Sequence, residues 1–302
     1  MKFLNGNMLL KTTLITVVLS CMGFGLLELE LVPYGVTLFC VMPVLIGYII
    51  GQFPTVKITL YFGVLLGSIC FLFLLVIGGL ESIFCSLTLF PFLMLLFFIG
   101  MSLGFFVKKQ VERRKKDRSR KINVYIVPVL VLILSGTIEH FFTDKYTRVE
   151  VETKVVLPYS RDTVFSYVRS FDTLNSPKPF VFNIGIQTPL KCKMDREGVG
   201  AKRTCYFKEG TIDEIVTAYE PGNLLRMNIT RYNMPGRKWL HFREATYLFT
   251  SKGDSTEVTR ITTYDTELKP RFYWSFWEQT AIRAEHEYVL ADLRRRLAAH
   301  RP

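Results

Sequence analysis

Residues 190–218, LKCKMDREGVGAKRTCYFKEGTIDEIVTA, read as three short strands joined by two glycine turns. Side chains alternate across a strand, so every second residue shares a face. Leu190, Cys192 and Met194 fall on one side, against Lys191, Lys193 and Asp195. Ala201, Arg203, Cys205 and Phe207 share the next apolar side, and Ile212, Glu214, Val216 and Ala218 the third. A turn centred on Gly198-Val199 sets Cys192 opposite Cys205, both inward, as either a disulfide or two small buried hydrophobes. Arg203 and Glu214 are the two charges on otherwise apolar faces. Either register of the turn at Glu209-Gly210 brings them within a residue or two of each other. A buried charge without a partner costs several kcal/mol, so they are expected to pair. The pair either closes one end of the core or anchors the headgroup of a ligand.

Working outward, the same texture runs from 149 to the C-terminus. VEVETKVVL (149–157) reads as a strand. Ser160 is placed to cap a short helix through Phe171, with Val164, Phe165 and Val168 facing a core. Strands follow near 184–194, 201–208, 211–219, 224–232, 242–250 and 256–267, separated by Gly, Pro, Asn or Asp. A long helix over 271–298 ends the chain. Its apolar stripe, Ile282, Val289, Leu293 and Leu297, includes His286, a core residue or a general base. Tyr264 is its partner or a separate inward hydroxyl. Trp274 and Trp277 open the helix as packing or interfacial residues. The order predicts an α+β helix-grip domain over 143–302, a curved antiparallel sheet around one long helix.

On Pro189 with Cys192, GVGAKRTCYFKEG (198–210), Glu214, Tyr264, Pro270, Trp274, Trp277, His286 and Leu290, this half resembles the SRPBCC (START-like) superfamily. The similar members are those described as polyketide cyclase/dehydrase and lipid transport. The resemblance implies the helix-grip fold and a cavity for a small molecule, and does not fix a reaction.

The first half is of a different kind. A bilayer crossing needs about 20 apolar residues. The stretches 12–32, 34–52, 58–80, 83–107 and 122–142 are read as five transmembrane spans, making 1–142 a helical bundle. Span five carries Pro128, with Glu139 and His140 near its end. Lys2, Lys11, Lys57 and the run 108–121, with nine Lys or Arg against two acids, alternate with loops holding Glu28, Glu30 and Glu81. Cytoplasmic loops are rich in Lys and Arg. The N-terminus is therefore expected in the cytoplasm and the C-terminal domain outside, in a multi-pass protein of the cell (plasma or inner) membrane. If span five is peripheral, the domain is cytoplasmic. Reading span one as a cleaved signal peptide, or Cys21 as a lipoprotein site, conflicts with the apolar sequence that follows. Gly47/Gly51, Gly63/Gly67 and Gly100/Gly104 form small-xxx-small pairs suited to close helix packing.

The net charge of +12 belongs largely to the 108–121 run. The basic residues of 143–302 are scattered, so no nucleic-acid partner is expected. Four His and six Cys lack metal-ligand spacing, and neither a P-loop nor Gly-x-Ser-x-Gly occurs. No metal or cofactor is expected. The function expected is membrane-anchored binding of a hydrophobic or amphiphilic small molecule such as a lipid, with membrane lipids as neighbours. Arg203, Glu214, Tyr264, Trp274, Trp277 and His286 would line the site. The alternatives are a cyclase or dehydratase using His286 with Tyr264 or Glu214, and an interaction or sensory module with a filled interior.

Overall fold

The computed structural model describes residues 5–29, 33, 35–113, 123–142, 144–171, 173–174, 176–233 and 239–299. The chain divides into two compact units. One is Met1–Lys145 with Glu267–Tyr273, the other Tyr146–Thr266 with Trp274–Pro302.

The first unit is helical: α1 (Gly6–Glu28), α2 (Met42–Gly51, entered through a π-helical turn at Thr37–Val41), α3 (Lys57–Ile77), α4 (Ile83–Arg113) and α5 (Asn123–Phe142). A helix falls on each of the five expected spans. Three helices, Gly6–Glu28, Lys57–Ile77 and Ile83–Gln110, are long and apolar enough to cross a membrane. Thr37–Gly51 and Val127–Phe142 are shorter apolar helices. At 1.5 Å per residue Thr37–Gly51 reaches roughly 23 Å, below the ~30 Å of a hydrocarbon core, whereas α5 as a whole, with 20 residues, reaches about 30 Å. Most of the basic run 108–121 lies outside the described residues.

Small residues set the helix contacts. A methyl on Gly100 would overlap the Val44 carbonyl of α2, and one on Gly47 the Phe97 carbonyl of α4. One on Gly51 would come within 2.6 Å of the Met101 carbonyl oxygen. The Gly-xxx-Gly pairs of α2 and α4 therefore interlock backbone to backbone. Gly63 and Gly67 of α3 instead make room for the side chains of Thr12 and Thr16 of α1, whose Cβ atoms lie 2.6 Å from each added methyl. Glu139, expected at a span end, is buried and accepts the backbone N–H groups of Val36 (2.5 Å) and Thr37 (2.8 Å). It satisfies donors that the start of a helix leaves open.

The second unit is a seven-stranded antiparallel sheet in the order β1-β7-β6-β5-β4-β3-β2, with a long helix. Its elements are β1 (Thr147–Leu157), α6 (Arg161–Arg169), α7 (Phe180–Asn183), β2 (Lys191–Met194), β3 (Lys202–Phe207), β4 (Gly210–Glu220), β5 (Leu224–Asn233), β6 (Leu240–Lys252), β7 (Ser255–Thr266) and α8 (Arg271–Ala299). Ser160 caps α6 through the Thr163 amide, as its position predicts. The helix stops at Arg169 rather than Phe171, because Phe171 exchanges both backbone hydrogen bonds with Cys192 at the sheet edge. The strand expected over 184–194 shortens to Lys191–Met194: Gly185 takes a positive φ of 107° and Pro189 has no N–H to donate.

Gly198 and Gly200 turn β2 into β3 with φ of 95° and 83°, the region a side chain disfavours. That turn fixes the register Cys192↔Cys205 and Met194↔Arg203, and the next hairpin sets Arg203 directly opposite Glu214. Pairing of β5 with β6 ends at Asn228↔Glu244 among the described residues. Beyond it β5 continues along β4 and β6 along β7. α8 buries Ile282, His286, Val289, Leu290, Leu293 and Leu297, and its C-terminal half joins Val216, Leu225, Met227, Phe249 and Val258 in one apolar core.

Candidate functional site

Polar groups interrupt the apolar interior between the sheet and α8 in several places. At the sheet's β3–β4 side, Arg203 Nη1 donates to Glu214 Oε2 at 2.9 Å and approaches Met227 Sδ at 3.5 Å. The residues are only 3% and 6% exposed. On β7, the Arg260 guanidinium bridges to Glu285 of α8 at 2.8 Å and lies 5.4 Å from the centre of the Tyr247 ring. Burial opposes its charge, but Glu285, then Tyr247, and more distantly Glu214 outweigh that and hold its pKa above the ordinary arginine value. Electrostatically, the two ion pairs thus share one interior.

The third place is the seat of His286, which is fully buried. Its Nε2 meets the Thr262 hydroxyl at 2.7 Å and its Nδ1 the Thr153 hydroxyl at 3.0 Å. Both ring nitrogens are therefore engaged by neutral hydroxyls from β7 and β1. Burial first, then the Arg260 and Arg283 cations, push the imidazole down to about 2. A neutral imidazole with so low a pKa is a poor general base near neutrality.

Tyr264 is also fully buried. Its hydroxyl donates to Glu278 Oε2 at 3.1 Å, while Thr266 donates to Oε1 at 2.8 Å. Glu278 is a buried carboxylate that the sequence reading missed. The signal was present: it lies two helical steps of four before His286 on the same stripe. Trp274 is buried one turn before Glu278, and Trp277 is half-buried with its ring edge-on to Phe276. Asp292, fully buried on α8 and held by Arg295, Arg296 and Ser176, was also missed.

The structure joins Cys192 and Cys205 as a disulfide, with Cα atoms 4.1 Å apart. It packs with Phe171 in a small apolar cluster, two residues along β3 from Arg203. Three buried guanidinium N–H groups have no acceptor among the described residues: Arg203 Nε, Arg260 Nε and Arg260 Nη1. Buried donors in native proteins are nearly always paired, so each needs an explanation. No group of three His, Cys, Asp or Glu placed to hold a metal occurs among the described residues.

A search of curated protein sequences finds no match. Among solved structures, the chain is similar to a START superfamily protein from Mycobacterium smegmatis, at 14% identity over 50% of this chain and 97% of that one, with a TM-score of 0.36. It is also similar to norcoclaurine synthase from Thalictrum flavum, solved with dopamine and hydroxybenzaldehyde: 12% identity, 52% and 91% coverage, TM-score 0.35. The Aha1 dimer from Colwellia psychrerythraea matches at 12% identity, 47% and 92% coverage, TM-score 0.30. Through residues 148–298, half of its length, the chain belongs to the polyketide cyclase / dehydrase and lipid transport family.

Proposed function

We propose that this protein is held in the cell membrane by its helical unit and binds a hydrophobic or amphiphilic small molecule, a lipid, between the sheet and α8. The observation that carries this reading is the trio of buried N–H donors on Arg203 and Arg260 that have no acceptor among the described residues, beside an apolar core. Leaving such a donor unsatisfied costs about 1–3 kcal/mol. A ligand with an oxygen-bearing head and an apolar body would accept those bonds and lie along the core. This is the usual composition of a small-molecule site. The parting of β5 and β6 beyond Asn228 and Glu244 supports an entrance there, beside Glu214 (opposite Ile229) and Tyr264 (opposite Phe242). Binding is favoured over catalysis because the imidazole best placed for proton transfer is neutral and bonded through both nitrogens.

Charge favours five crossings even though α2 is short. If only α1, α3 and α4 crossed, Lys2 and Lys11 would lie opposite the 108–121 run. With the N-terminus inside, Lys57 and that run would both be external, against the lysine and arginine bias. Crossing by α2 and α5 restores the alternation and puts the family domain outside. Reporters inserted in the 108–121 run and fused after residue 302 should then report opposite sides of the membrane. Two cytoplasmic signals would remove α5 as a crossing.

Mass spectrometry of the protein purified in mild detergent tests the binding reading. A co-purifying amphiphile is expected at about one per chain, lost on Arg260→Met. Recovery of detergent alone, with no lipid displacing a fluorescent fatty-acid probe, would refute it.

A further inference from the structure

The helical unit carries a pocket of its own, far in sequence from the family domain. Its volume is about 440 Å³, and it lies where α3 begins and the apolar part of α4 ends. The turn after α2 is pinned to α4 there: Gln52 Nε2 donates to the Gly104 carbonyl at 2.9 Å, and Lys108 Nζ to the Phe53 carbonyl at 3.0 Å. The aromatic wall is Phe53, Tyr61, Phe105 and Phe106, and the rim carries Lys57, Lys108 and Lys109 with one acid, Glu112.

Two of the three ammonium groups are held in place. Lys108 is fixed by the Phe53 carbonyl, and Lys57 stands over the Phe105 ring, 4.9 Å from its centre. No carboxylate pairs with either among the described residues. Lys57 is the first residue of α3, and Lys108 directly follows the apolar run of α4. All three cations therefore collect at the level where both helices leave hydrocarbon. Below them the same face of α4 continues as an exposed apolar ladder, Leu95, Ile99 and Phe106, at helical spacing. Positive charge above, an aromatic belt, then exposed apolar rungs match the order of parts in a membrane phospholipid.

We propose that this pocket binds the phosphate headgroup of a net-anionic glycerophospholipid from the leaflet that faces the basic run, with an acyl chain along the Leu95–Phe106 ladder of α4. The rim, three cations against one carboxylate, selects net negative charge, and the ladder selects a lipid over a free anion. This site rests on the membrane reading above but not on any ligand in the family domain.

The test uses the full chain in detergent, with native mass spectrometry as the readout and added phosphatidylglycerol, phosphatidylcholine or inorganic phosphate as probes. One phosphatidylglycerol should be retained on the order of tenfold more than phosphatidylcholine. The Lys57→Gln/Lys108→Gln/Lys109→Gln variant should abolish that preference. Ser102→Trp, which fills the exposed side of the pocket while keeping every charge, should expel the lipid. Neutralising Lys115, Lys116 and Arg118 in the basic run should leave the one retained lipid in place. Equal retention of both lipids, a preference that survives the triple substitution, or a thermal shift from phosphate matching that from phosphatidylglycerol would each overturn the proposal. Recovery of the chain in the aqueous fraction after carbonate extraction would instead overturn the membrane reading itself.

Discussion

Removing the Glu214 carboxylate is the sharpest perturbation of the family domain. Arg203 and Glu214 face each other across β3 and β4, are 3% and 6% exposed, and meet at 2.9 Å. At that separation and an effective dielectric of about 20, their attraction is about 6 kcal/mol before desolvation is subtracted. In Glu214→Ala the guanidinium keeps only the weak Met227 sulfur contact, and its Nε is already without an acceptor among the described residues. The expected loss of stability is therefore about 3–5 kcal/mol, the cost of a stranded buried charge. Replacing both partners, as Arg203→Met with Glu214→Leu, should cost far less, because neither desolvated charge remains. The exposed pair Arg226–Glu244, 3.5 Å apart with side chains 47% and 33% exposed, supplies the control; breaking it should cost at most about 1 kcal/mol. Guanidinium unfolding of the full chain in detergent, followed by tryptophan fluorescence, reads this unit selectively, since Trp239, Trp274 and Trp277 are the only tryptophans. A Glu214→Ala loss no larger than the control's would refute the buried pair.

His286 makes stability depend on pH. Its folded pKa of about 2 lies below the ordinary value of 6.5, so below neutrality the unfolded chain binds the proton that the folded one refuses. Stability from this group is present above about pH 6.5 and is lost as pH falls. Between pH 7 and 5 it should contribute a loss of about 2 kcal/mol, absent in His286→Gln, which should keep any bound ligand. A pH slope unchanged by the substitution would locate the titration elsewhere. Thiol labelling of denatured chain lacking Cys21, Cys40, Cys70 and Cys85 should find no free thiol until reductant is added, because Cys192 and Cys205 are joined. Two free thiols in chain from the cell membrane would place the domain in a reducing compartment. Gly100→Ala should destabilise the helical unit by about 1–3 kcal/mol through its overlap with the Val44 carbonyl, measured by SDS-induced loss of helical dichroism. Gly25→Ala, whose methyl meets open space, should not.

The sequence by itself determined what depends on period and neighbourhood. Alternation over 190–218 gave the inward faces and the opposition of Cys192 to Cys205 and Arg203 to Glu214, because strand parity leaves a side chain only two directions. Apolar length separated the two halves, and the glycine spacings marked where helices touch. Only the tertiary structure decided what each inward group meets. His286 was legible as buried, but not that threonine hydroxyls from two strands distant in sequence hold both its nitrogens and keep it neutral. Tyr264 was legible as an inward hydroxyl, while its acceptor, Glu278, was hidden by the habit of reading an acid on a helix as solvated. Arg260 lay in an alternating strand among threonines, and only the curvature that brings β7 against α8 pairs it with Glu285 and leaves two of its nitrogens without acceptors among the described residues. Helix length was settled the same way: apolar composition runs through residues 34–52, but where a helix begins depends on who accepts its first N–H groups. That acceptor, Glu139, lies about a hundred residues away.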